Sequence, residues 1–143
     1  MSSNQMTAER VPAIKLAIST AADAKYVDGR RSFFKYRDLG VTDATGGRMR
    51  AQVTSADSGG LTEPTGWHYH TCEMQLVYML EGWVELEFED GRLMKFEAGD
   101  SVMIPGGAIH QETRTSEKLR LLEVSLPAEM GTVPCDPPGG AAN

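Results

Sequence analysis

The three histidines of this 143-residue chain lie in only two short segments. His68 and His70 form a His-x-His pair in the first segment, and His110 follows a glycine- and proline-containing stretch in the second. On a β-strand, residues two apart point to the same face, so the pair would present two imidazoles together. Histidine is the commonest metal ligand in proteins. The pattern therefore predicts a metal ion held by three histidines inside an all-β fold.

Short apolar segments separated by turn residues fill the chain after residue 45. In one of them Val84, Leu86 and Phe88 alternate with glutamates, and Asp90-Gly91 then gives a two-residue hairpin signal. Strands are predicted at residues 48–54, 75–80, 84–89, 93–96, 101–104, 109–114 and 119–126. Many short strands without a long helical segment are typical of a β-sandwich or barrel.

The two ends of the chain carry weaker signals. Residues 14–18 suit a short strand, with a helix at 21–24 as the alternative, and the aromatic-rich residues 32–37 suit another strand. The tail is rich in proline and glycine and is expected to wrap loosely over the outside. We expect one domain over residues 1–143, with a barrel core at about 45–126, N-terminal strands at about 12–40 and an extended tail at 127–143.

Composition excludes several classes of partner. The net charge of -6 and the pI near 5.0 argue against binding to nucleic acid or to an anionic membrane. The sequence has neither an apolar run long enough to cross a membrane nor a signal-peptide core in residues 1–12, so a cytoplasmic protein is expected. Its two cysteines, Cys72 and Cys135, do not form a disulfide framework.

The first histidine segment resembles the first of two motifs that define the cupin superfamily. In that motif a His-x-His pair is followed by glutamate and then, after six intervening residues, by glycine. Here His68 and His70 are followed by Gln75 and, with the same spacing of six residues, by Gly82. The glutamate position therefore holds an amide, and the leading glycine of the motif is Thr62.

The second segment is similar to the other cupin motif, which reads Gly, five residues, Pro-x-Gly, two residues, His. Gly99, Pro105, Gly107 and His110 match this spacing without a gap. The resemblance is strongest over about residues 60–126. It implies a double-stranded β-helix, the jelly-roll barrel of the cupins.

The resemblance also implies a metal site. Its ligands would be His68, His70, Gln75 and His110, and its ion one divalent metal such as Fe, Mn, Ni or Zn, with no organic cofactor. Because Gln75 would bind through an uncharged amide oxygen, the ion would keep its full charge and act as a stronger Lewis acid. Two alternatives stay open at this point. Gln75 could be a core amide beside three ligating histidines, or the histidines could be hydrogen-bonded core residues.

By resemblance, the leading function is a dioxygenase-like oxidoreductase that acts on a small organic substrate. The alternatives are a redox-neutral isomerase, cyclase or hydrolase that uses the ion as a Lewis acid, and a non-enzymatic small-molecule or metal-binding module. No catalytic residue is assigned. Without a glutamate at position 75, the general base would be Glu112, a solvent molecule at the metal or the substrate itself.

Two further expectations concern the surroundings of the site. Strand alternation places Glu112 and Arg114 on the same face as His110, so Arg114 would either hold an anionic substrate or form a rim salt bridge with Glu112 or Glu123. A homodimer is also expected. Residues 33–36 would place aromatic rings on both faces of a strand and leave one face exposed unless a second copy or the chain's own tail covers it.

Overall fold

The computed structural model describes residues 13–140, which fold almost entirely into β-strands. The strands are β1 Val27–Asp28, β2 Lys35–Asp38, β3 Arg50–Ala56, β4 His68–His70, β5 Met74–Glu81, β6 Trp83–Phe88, β7 Leu93–Glu97, β8 Ser101–Pro105, β9 His110–Thr115, β10 Leu119–Leu126 and β11 Thr132–Pro134. Helix in this part of the chain is limited to one turn of α-helix, Val41–Ala44, and two 3₁₀ turns, Ala21–Asp23 and Pro138–Gly140.

The strands form two antiparallel sheets. One has six strands in the order β1-β2-β3-β10-β5-β8, and the other has five in the order β11-β4-β9-β6-β7. From β3 to β6, and again from β7 to β11, each strand lies in the other sheet from the strand before it, so the chain winds as a double-stranded β-helix. The predicted all-β jelly-roll fold is therefore confirmed.

Alternating side chains of the strands build the interior. In β5, Val77 and Met79 are buried while their neighbours are exposed, and in β6 Val84 and Leu86 are buried while the residues on either side of each are half-buried. A buried core results, made of Ala56, Val77, Met79, Val84, Leu86, Phe96, Ile104 and Leu119. Burying one such large side chain stabilises the fold by about 2 kcal/mol. The polar residues that share this interior include the histidines, and they determine where a site can form.

The region before the barrel differs from the sequence-based expectation. Residues 13–20 form no strand, and the side chains of Ile14, Leu16 and Ile18 are exposed. The aromatic segment begins as a turn, and only its end enters β2. Phe33 and Phe34 pack against the core. The prediction of an exposed aromatic patch at this segment is therefore wrong.

The C-terminal tail also differs from the expectation of a loose outer wrap. Its strand β11 pairs with the histidine strand β4, with Thr132 opposite His70 and Pro134 opposite His68. Proline is tolerated there because β11 is an edge strand of its sheet. The tail therefore forms one side of the region around the histidines.

Cys72 is buried, Cys135 is half-buried, and both are free. Within residues 13–140, no helix has the length and apolar character needed to cross a membrane.

Candidate metal centre

The structure brings the three histidines together inside the barrel. His68 and His70 lie on β4, and His110 begins the neighbouring strand β9 directly opposite His68. One ring nitrogen from each lies within 4.8 Å of the others, and the three residues are only 8%, 5% and 2% exposed. Three buried imidazole nitrogens at this spacing can bind one transition-metal ion.

Hydrogen bonds fix which nitrogen of each ring is available. The Nδ1 atom of His68 lies 2.8 Å from the carbonyl oxygen of Gly66, and that of His110 lies 2.9 Å from the carbonyl oxygen of Ala108. A carbonyl oxygen can only accept, so both Nδ1 atoms carry the proton. The Nε2 lone pairs are then free, which is the arrangement that metal-binding histidines require.

The third ring is oriented by the tail. His70 Nδ1 lies 3.1 Å from the hydroxyl oxygen of Thr132 on β11. A hydroxyl can accept the Nδ1 proton in the same way as a carbonyl. Thr132 has no motif in the sequence, and its role follows only from the pairing of β11 with β4.

Gln75 lies on β5 of the six-stranded sheet and takes part in a group of polar contacts with the neighbouring strands β10 and β3. Its Nε2 donates a hydrogen bond to the Glu123 carboxylate, which also accepts from Arg50 Nη2 at 2.7 Å and from Gln52 Nε2 at 3.2 Å. An ionised carboxylate only accepts hydrogen bonds, so the nitrogen of the Gln75 amide must point towards Glu123. The amide oxygen, Oε1, is left buried without a hydrogen-bond partner.

Glu112 brings a carboxylate to the edge of the histidine cluster. Its Oε2 lies 3.3 Å from His68 Nε2, is shielded from solvent and makes no hydrogen bond. Burial raises the pKa of this carboxyl, but the nearby imidazoles, His68 first among them, hold it below its usual range. The expected face of Glu112 is therefore observed, and its charge lies beside the nitrogen that would bind a metal.

The imidazoles differ in their affinity for protons. Burial and the charges of His110 and His68 lower the pKa of His70 to about 4, and burial lowers the pKa of His110. Burial also acts to lower the pKa of His68, but contact with Glu112 outweighs it and the pKa is raised. His70 and His110 are therefore neutral at ordinary pH, as metal ligands must be.

These donors fit a divalent transition metal. Three clustered imidazoles, whose Nδ1 atoms are engaged elsewhere, can offer their Nε2 atoms to such an ion, and the buried Oε1 of Gln75 is an oxygen donor that lacks a partner. The donor set is open on the cavity side, unlike the closed four-ligand sets of structural zinc sites.

Arg114 does not join the site. A β-bulge adds one residue, Thr113, to β9 relative to β6, and this reverses the alternation beyond it. Arg114 is consequently opposite Glu85 and exposed, whereas Thr115 lines the interior. The prediction that Arg114 shares the face of His110 is therefore wrong.

The histidines open onto a cavity of about 650 Å³. His68, His70, Gln75 and Glu112 line it, and its remaining walls include Arg30, Phe34, Tyr36, Trp67, Leu121 and Cys135. Several of these residues come from the β1–β2 hairpin and the tail, where no sequence motif indicated a role. A cavity of this size accommodates a small organic molecule.

Two antiparallel sheets around three buried histidines define a small β-barrel protein with a candidate metal centre. Residues 55–125 match the family model described as a cupin domain. This part of the chain is a domain of the cupin superfamily, which confirms the resemblance seen in the two motifs.

Three known proteins are similar to this chain, one in sequence and two in fold. A stretch of 45 residues is 36% identical to the uncharacterized protein YdbB of Bacillus subtilis (strain 168), and this match covers 32% of the present chain and 40% of that relative. KdgF from Halomonas sp. is 16% identical with a TM-score of 0.62, over 79% of this chain and 94% of its own. The polyketide cyclase RemF from Streptomyces resistomycificus is 23% identical with a TM-score of 0.61, and the match covers 80% of this chain and 81% of RemF. At these identities the two structures show a shared fold.

Proposed function

We propose that this protein is a metal-dependent enzyme that acts on a small organic substrate in the cavity beside the three histidines. His68, His70 and His110 would hold one divalent ion through Nε2, and Gln75 would add its amide oxygen. The observation that carries the proposal is a cluster of three buried imidazole nitrogens, two of which belong to residues that line a cavity of about 650 Å³, His68 and His70. When bound, the ion would supply a positive charge that holds and polarises a substrate oxygen atom.

Two reaction classes fit this site. The first is the dioxygenase-like oxidation implied by the family resemblance. The second is a redox-neutral isomerisation, cyclisation or hydrolysis, and the position of Glu112 favours it. The Oε2 atom of Glu112 is buried at 3.3 Å from a metal-facing nitrogen, and such a carboxylate can accept a proton from a substrate and return it at another atom. The shared fold of a polyketide cyclase is consistent with this second class.

Elemental analysis of protein purified without chelators tests the proposal. We expect close to one divalent ion per chain in the wild type, and its loss in His68→Ala and in His110→Ala. Metal content unaffected by both substitutions would remove the central claim. Oxygen consumption by the metal-loaded protein during a substrate screen separates the two classes, since only oxidation by O₂ consumes it. Metal and ligand binding without any turnover would instead indicate a binding module.

We also propose that the protein forms a homodimer through the outer face of the six-stranded sheet. Alternate residues of β5 point outward there: Met74, Leu76, Tyr78 and Leu80 are 39–45% exposed, and Met103 on the adjacent β8 is 53% exposed. A contiguous apolar face of this kind is typical of an interaction surface. A second copy can cover it because two-fold symmetry pairs one patch with itself.

A further inference from the structure

We propose that Arg30 and Arg31 form an anion-binding subsite, and that the substrate of this cavity is a small organic acid whose carboxylate they bind. The inference rests on the proposed function, because it places the carboxylate at the arginines while another part of the substrate reaches the metal centre. It assigns a task to two residues that carry no cupin motif.

Both arginines belong to the turn that joins β1 to β2. The turn is closed by hydrogen bonds from the Gly29 amide to the Phe34 carbonyl at 2.8 Å and from the Phe34 amide to the Arg31 carbonyl at 3.0 Å. The backbone amide of Arg30 also donates to the hydroxyl of Tyr36 at 3.3 Å. Phe34 and Tyr36 line the same cavity as the two arginines, so the turn is attached to the cavity wall.

The guanidinium groups of Arg30 and Arg31 are available for a ligand. Over residues 13–140, neither takes part in an ion pair or a side-chain hydrogen bond. Arg50 lines the same cavity, but its Nη2 is already bound to Glu123 at 2.7 Å. Arginine forms paired hydrogen bonds with carboxylates, which are stronger than hydrogen bonds between neutral groups.

The charge of the cavity is opposite to that of the whole chain. The sequence carries a net charge of -6, whereas the cavity lining holds Arg30, Arg31 and Arg50 against only Glu112 and Glu123. A divalent ion at the histidines would add two further positive charges. A cleft with a positive excess in an acidic protein concentrates anions at that place and not over the rest of the surface.

The remaining walls of the cavity constrain the body of the substrate. They include the aromatic rings of Phe34, Tyr36 and Trp67 and the aliphatic side chains of Leu61 and Leu121. Such walls favour an apolar or ring-shaped skeleton. The best match is an organic acid with its carboxylate at one end and an oxygen function at the other.

Calorimetric titration of the metal-loaded protein with benzoate tests the subsite, with benzamide as a probe of the same shape that lacks the charge. Benzoate should bind the wild type and benzamide should bind more weakly. The double variant Arg30→Gln/Arg31→Gln should lose about tenfold or more in benzoate affinity, with metal content unchanged. Arg120→Gln, which changes an exposed arginine outside the cavity, is the matched control and should bind as the wild type does.

Equal benzoate affinity in the double variant and the wild type would overturn the subsite, as would the absence of benzoate binding to the wild type. Inorganic phosphate separates a general anion site from a carboxylate site: phosphate that binds more tightly than benzoate overturns the assignment to an organic acid. The proposed metal-dependent function fails separately, through wild-type protein that holds no metal. Benzoate titration of metal-free protein then still reports on the arginines.

Discussion

The side-chain amide of Gln75 donates its hydrogen bond to the carboxylate of Glu123. Because Glu123 can only accept, this contact determines the orientation of the amide and leaves Oε1 as a buried oxygen without a partner. A glutamate at position 75 would place two carboxylates in contact. Position 75 therefore favours glutamine, because Glu123 on β10 accepts a hydrogen bond from its side chain.

The first prediction follows from this contact. Gln75→Glu should weaken metal binding, because repulsion from Glu123 either displaces the new carboxylate or keeps it protonated. In the double variant Gln75→Glu/Glu123→Gln, the amide at position 123 donates the hydrogen bond and the carboxylate at position 75 accepts it. This variant should bind metal at least about tenfold more tightly than Gln75→Glu alone. Competition with a chromophoric chelator measures both affinities.

Circular dichroism melting of each variant controls for loss of folding, since Glu123 also binds Arg50 and Gln52. If Gln75→Glu alone binds metal as tightly as the wild type, Glu123 does not constrain position 75 and the argument fails.

The second prediction concerns the pH dependence of metal binding. Between pH 5 and 8, roughly the range of histidine titration, protons should compete mainly at His68, because its pKa is raised while that of His70 is lowered to about 4 and that of His110 is also lowered. Affinity should therefore fall with decreasing pH by about one proton per ion. Chelator competition over this pH range gives the slope. A slope of three protons per ion would contradict the difference in pKa between the three imidazoles.

A third prediction isolates Glu112. In the metal-free protein this carboxylate raises the pKa of His68 against the lowering effect of burial. Glu112→Gln removes the raising influence, so the pKa of His68 should fall below its ordinary value near 6.5. Titration of the imidazole resonances by NMR measures the change. The control is Glu117→Gln, which changes an exposed glutamate five residues further along the chain. It should leave the pKa of His68 where it is in the wild type.

The parts of the fold that the sequence predicted are those that depend on the alternation of apolar and polar residues within one strand. Alternation in residues 84–88 identifies β6 because one face meets the core and the other meets solvent. The third imidazole, that of His110, was expected from the resemblance to the second cupin motif, and it lies opposite His68. The shared face of the His-x-His pair follows from the same alternation as that of β6. In these segments each residue's environment follows from its immediate neighbours.

The parts that could not be predicted depend on pairing between distant segments. The bulge at Thr113 arises from the register between β9 and β6, so local alternation assigns Arg114 to the wrong face. Strand β11 exists because its backbone pairs with β4, although its own sequence is typical of a loop. Arg30 and Arg31 enter the cavity because a hairpin folds against it. No motif within residues 27–38 marks that contact.

The last prediction concerns the oligomeric state. The exposed apolar face of β5 and β8 should bury itself against a second copy, so light scattering at micromolar concentration should give twice the chain mass of 15.6 kDa. Leu76→Lys places a charge within this face, and two-fold symmetry brings its copy close, so the variant should shift towards monomer. Leu93→Lys is the matched control, because Leu93 is 57% exposed but lies on β7 of the other sheet. A wild-type mass near 15.6 kDa would rule out the dimer. Equal dissociation of both variants would place the interface elsewhere.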